Sequence, residues 1–69
     1  MFDKERLRSL RHEKELSQAK LASYVGLSKS LINQIEFGTR VPNANALKTI
    51  ADYFKVSVDS LYKKEGVAS

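Results

Sequence analysis

Lys29, Ser30, Asn33 and Gln34 are the side chains here whose types and spacing could do chemistry. Residues three and four apart share one face of a helix, so these four would form a single polar row. The row suits base edges: an amide pairs bidentately with adenine, an ammonium donates to guanine O6 or N7, and a hydroxyl serves either. Set beside basic residues, it fits a DNA major groove. Taken alone, the same row describes an ordinary solvated helix face. The case therefore depends on the elements that hold it.

Those elements can be read from apolar spacing and punctuation. Leu7 and Leu10, among charged neighbours, predict a first helix over about 3–14 with Asp3 as its N-cap. Glu15-Leu16 is the connection, with Leu16 turned to the core. Ser17 caps a second helix whose inner face is Leu21, Ala22 and Val25, and Gly26 ends it in a left-handed turn. Ser28 caps the third helix, which carries the polar row outside and Ile32 and Ile35 inside, and Gly38 ends it. Leu31 reads equally as core or as an apolar contact for a thymine methyl. The loop 38–42 leads to Asn43, the cap of a fourth helix bearing Leu47, Ile50, Ala51 and Phe54. Ser57 caps a short fifth helix holding Val58 and Leu61, with Asp59 in its first turn. The expected fold is all-α, five helices in one compact domain over 1–62, followed by a frayed tail over 63–69.

Composition narrows the function. The chain has 69 residues, no cysteine and one histidine, which excludes a disulfide framework and a Cys/His metal site. His12 belongs on a solvated helix face. No Gly-rich phosphate loop, triad or metal set is present, so there is no basis for an enzyme and no cofactor is expected. No apolar run approaches the roughly 20 residues of a membrane span, and the charged N-terminus is no export signal. A soluble, cytoplasmic protein is expected, without membrane contact. Twelve Lys+Arg against eight Asp+Glu give a net charge of +4. The pI near 9.6 passes the rough threshold of about 9 for a nucleic-acid binder.

The residues then converge on one family. Leu16-Ser17-Gln18, Leu21-Ala22, Gly26-Leu27-Ser28, Ile32, Ile35-Glu36, Gly38, Arg40 and Pro42 resemble the signature of Cro/repressor-type, lambda-repressor-like (XRE family) helix-turn-helix proteins. The likeness continues through Leu47, Ile50-Ala51 and Val56-Ser57-x-Asp59-x-Leu61, covering about 3–62. Each position also has a physical reason. Ala22 is small where two helices cross closely, and Gly26 supplies a positive φ.

The resemblance implies a transcription regulator, a repressor in many cases, that binds double-stranded DNA at an inverted repeat as a homodimer. Its recognition helix would be the third, with Lys29, Ser30, Asn33 and Gln34 reading bases. It implies phosphate contacts from Gln18, Ser28, Thr39, Arg40 and Asn43, with Gln18 also bracing the recognition helix. It implies an ion pair between Arg11 and Glu36 that orients that helix without reading sequence. Tyr53, Val58, Leu61 and Tyr62 are candidates for a dimer patch, or else complete the small core. Occlusion of RNA polymerase and contact with it both remain open. The alternative is an antitoxin-like or partner-binding module on the same fold. The seven residues after 62 are short for a partner-binding segment, which favours the regulator. Two positions depart from the pattern. Phe37 stands where a polar residue is common, and Lys55 stands where the family commonly ends a helix with Gly, so that helix is expected to end differently.

Overall fold

The computed structural model describes residues 1–63; the tail expected over 63–69 lies, apart from Lys63, outside the described residues. Among the described residues the chain forms four α-helices and one 3-10 turn: α1 Lys4–Glu13, α2 Gln18–Val25, α3 Lys29–Phe37, α4 Ala44–Phe54, and the turn Asp59–Leu61. The fifth helix is thus a single 3-10 turn. Its Ser57 hydroxyl accepts from Ser60 N–H at 3.1 Å, the same bond that caps the α-helices.

Every α-helix starts on a side-chain cap. Asp3, Ser17, Ser28 and Asn43 each accept a hydrogen bond from the N–H three residues on, at 2.8–3.1 Å. These bonds satisfy donors that the first helical turn leaves unpaired. The C-termini of α2 and α3 close on left-handed glycines, Gly26 at φ 72° and Gly38 at φ 101°.

Helix α4 closes in the same left-handed conformation on a lysine, Lys55 at φ 58°. The expectation of a different ending fails, because Lys55 N–H and Val56 N–H must still reach carbonyls of the last turn, Asp52 and Ala51. The Cβ of Lys55 there costs about 1–2 kcal/mol, against roughly 0.5–1 kcal/mol of extra chain entropy lost on folding with glycine. Lys55→Gly should therefore raise the thermal midpoint by a few degrees, at about 4–8 °C per kcal/mol for a domain of this size. An unchanged or lower midpoint in calorimetry would contradict this account.

Leu7 and Leu10 of α1, Leu21, Ala22 and Val25 of α2, Ile32 and Ile35 of α3, and Leu47, Ile50, Ala51 and Phe54 of α4 form one core. Leu61 of the 3-10 turn fills it from below α1. Leu16, Leu27 and Leu31 pack against its margin, half-buried. Leu31 thus serves both sides of the expectation: it packs against the core and also lines an open cleft with Gly26, Arg40 and Pro42.

Phe2 joins the core without a helix to carry it. It forms an isolated antiparallel bridge with Tyr62, and the two rings meet edge to face at 6.3 Å between centroids. Asp3 N–H donates to Leu61 C=O, and Lys63 N–H to Met1 C=O, each at 2.8 Å. The two ends of the domain therefore hold each other.

Candidate nucleic-acid interface

Helices α2 and α3, with the turn Gly26–Ser28, make a helix-turn-helix unit. The turn is set by the left-handed Gly26, and Leu27 N–H donates back to Ala22 C=O at 2.9 Å. Apolar residues at 32 and 35 fix the inner face of α3, so its outer face must carry 29, 30, 33 and 34. Lys29, Ser30 and Asn33 are exposed and Gln34 is half-buried. Gln34 Nε2 lies 3.5 Å from Ser30 Oγ, one turn away.

Beneath this face sits a buried carboxylate. Glu36 is 2% exposed and is the buried charged residue among the described ones. Arg11 of α1 grips it bidentately, Nε donating to Oε2 at 2.7 Å and Nη2 to Oε1 at 2.9 Å. Arg11 Nη1 also donates to Leu16 C=O at 2.8 Å, tying the α1–α2 connection to the same cluster. Gln18 Nε2 donates to Glu36 Oε1 at 3.1 Å, and Gln18 Oε1 accepts from Asn33 Nδ2 at 3.3 Å. Sequence reasoning missed Arg8. Its Nη2 donates to Glu36 C=O at 2.7 Å, serving a carbonyl that the helix end leaves unpaired. Arg8 lies three residues before Arg11 on the same face of α1, and that spacing was the available signal.

Burial alone would push the Glu36 carboxyl up. The hydrogen bonds from Arg11 and Gln18 and the charges of Arg11 and Arg8 outweigh burial and hold it below its ordinary 4.5. Protonation on acidification therefore begins in the unfolded chain. The contribution of this group to stability is fully present above about pH 4.5 and is lost as the pH falls through the lowered value. Glu36→Gln resembles the protonated state, so its deficit against wild type should be large at pH 7 and shrink at pH 3. Urea midpoints at the two pH values measure this; a deficit independent of pH would refute it.

The other side chains lie around this unit. Ser28 Oγ accepts its cap bond from Leu31 N–H, which leaves its O–H, with the backbone N–H groups at 28–30, to donate to an anion. Asn43 Oδ1 likewise caps α4. Thr39 Oγ1 donates to Gln34 C=O at 3.3 Å, and Arg40 is exposed in the loop beside it. The structure brings Gln18, Asn33, Glu36 and Arg11 into one hydrogen-bonded chain, and leaves Lys29 and Arg40 extended to solvent.

Of the apolar candidates, Leu61 is 0% exposed and so cannot meet a second copy; the core takes it because the 3-10 turn folds back under α1. Val58 and Tyr62 remain at the surface. Tyr53 is half-buried, stacked on Tyr24 at 5.6 Å with Lys14 Nζ over its ring at 5.7 Å. Phe37 and Val41, absent from the expected patch, are 73% and 67% exposed. Among the described residues no helix is long and apolar enough to cross a membrane.

A family model described as "Helix-turn-helix domain" matches residues 4–67. The transcriptional repressor RghR of Bacillus subtilis is 40% identical over 63 residues, which are 90% of this chain and 47% of that protein. The transcriptional activator BcrR of Enterococcus faecalis is 38% identical over 61 residues, 88% of this chain and 30% of that one. The chain thus spans less than half the length of either relative. Among solved structures, the P22 c2 repressor in complex with a synthetic operator superposes with a TM-score of 0.84 at 32% identity, covering 91% of this chain and 96% of that one.

Proposed function

The chain belongs to the helix-turn-helix domain family, and on that premise we propose that it is a sequence-specific transcription regulator that binds double-stranded DNA at an inverted repeat as a homodimer. Helix α3 enters the major groove, with Lys29, Ser30, Asn33 and Gln34 facing the base edges. The observation that carries this reading is the exposed polar face of α3 on a helix whose underside is fixed by the Arg11–Glu36 pair. A helix held in a fixed position is what base discrimination requires of the scaffold.

Around that face, Gln18 at the start of α2, the backbone at Ser28, Thr39, Arg40 and the start of α4 at Asn43 contact phosphates. A second copy docks through exposed apolar side chains, among them Phe37, Val41, Val58 and Tyr62. The dimer works in the cytoplasm, and bound at a promoter it blocks RNA polymerase or touches it according to where the operator lies. The similarity to both a repressor and an activator supports a scaffold that serves either outcome.

Selection of bound sites from random DNA tests the proposal. The expected product is an inverted repeat with half-sites about 34 Å apart centre to centre, bound at least about 10³-fold tighter than random sequence. Equal affinity for all sequences would sink it. Arg40→Ala should weaken binding to every sequence alike and lower the slope of log K against log salt by about one per subunit, about two for the dimer. A sequence-dependent loss would instead place Arg40 among the base readers.

A further inference from the structure

The amides of Gln18 and Asn33 are not free to face either way. Glu36 is gripped by Arg11 as a carboxylate, and an ionised carboxylate only accepts hydrogen bonds. Gln18 must therefore turn its NH2 to Glu36 Oε1, as it does at 3.1 Å. Its own oxygen then points the other way and can only accept. Asn33, at 3.3 Å, must in turn offer Gln18 its NH2. One N–H and the Oδ1 of Asn33 remain for the solvent side, in a fixed order. The order matters because the two purines differ at position 6, adenine offering an N–H and guanine an oxygen. Held in this order, Asn33 sets its Oδ1 against an N–H in adenine and against an oxygen in guanine; an asparagine free to turn would still pair best with adenine but could give guanine O6 a single N–H bond.

We infer that Gln18 is a specificity-determining positioning residue: it carries the polarity of the buried Arg11–Glu36 pair outward to Asn33, so that Asn33 takes adenine and rejects guanine at one base pair of each half-site. This rests on the proposed reading of bases by α3. It gives the ion pair a second role, since the charge that orients the helix also orders donor and acceptor on its surface.

The test uses the full chain and the operator selected from random DNA, with every single base-pair substitution measured. Asn33→Ala identifies the base pair that residue 33 reads. Gln18→Met keeps the length of the side chain and removes its amide. It is expected to lower affinity for all DNA and, at that one base pair, to cut the preference for A·T over G·C about tenfold. Preferences at the other pairs should stand; a lost phosphate contact would leave the preference at every pair unchanged, and a general loosening would weaken it at all of them. A preference kept within about twofold at that pair overturns the inference. So does an Asn33→Ala variant that shifts no pair, even if the wild-type protein selects an operator and the proposed function stands. If the wild type selects no sequence, both fail. A second measurement needs no DNA: in folded Gln18→Met, the side-chain NH2 protons of Asn33 should exchange with solvent faster than in the wild type, and unchanged exchange overturns the inference.

Discussion

Arg11→Ala is expected to bring the domain to the edge of unfolding at room temperature. The substitution removes both bonds that hold the Glu36 carboxylate and the bond to Leu16 C=O. It leaves a charge at 2% exposure with Gln18 and, at 3.9 Å, Arg8. Breaking a buried pair on one side costs about 3–5 kcal/mol. At roughly 0.05–0.15 kcal/mol per residue, a chain of this length holds about 3–10 kcal/mol in all. The loss is therefore comparable to the whole. Replacing both partners by apolar residues behaves differently. Arg11→Met with Glu36→Leu leaves no stranded charge and should lie between neutral and about 4 kcal/mol more stable than wild type. Urea unfolding of the two singles and the double gives the coupling directly. Additive effects would mean that the pair contributes nothing as a pair.

The second large effect concerns DNA. Asn33→Ala together with Gln34→Ala should remove most of the preference for the selected operator while leaving binding to random sequence intact. Each bidentate amide–base contact discriminates by about 1–3 kcal/mol, so the two account for roughly 2–6 kcal/mol in each half-site. Both side chains are on the surface of α3, outside its core face, so folding should survive. Anisotropy titrations with operator and scrambled duplex at two salt concentrations measure the ratio. A parallel fall on both duplexes would assign these residues to the backbone instead.

The four helices could be read in the sequence because each carries a cap residue and apolar positions three and four apart, and α2 and α3 add a terminating glycine. Where one signal was absent the reading weakened. Phe2 lies before the first cap and belongs to no periodic stretch, so its place in the core depends on Tyr62, sixty residues away. The 3-10 turn at Asp59–Leu61 is too short for periodicity to tell it from a helix. Glu15 adopts a left-handed φ of 55° that nothing in its residue type announces. For the site, the polar face of α3 follows from spacing alone. The Arg11–Glu36 contact spans 25 residues and two helices, so only resemblance could suggest it. The link from Asn33 to Gln18 depends on amide orientation, which no residue spacing encodes.

Helix α3 also divides its labour by residue. Ser28, Ile32, Ile35, Glu36 and Gly38 are occupied with caps, core and ion pair, while Lys29, Ser30 and Gln34 make no bond that the rest of the fold depends on. The outward positions can therefore be rewritten one at a time with little loss of stability, since surface changes away from caps and core usually stay within about 0.5 kcal/mol. Position 33 is the exception, because a new side chain there must still answer Gln18 or release it. A scaffold of this kind can acquire new binding sites by drift on three positions. If position 33 reads adenine as inferred, that reading would change only through a paired substitution with Gln18.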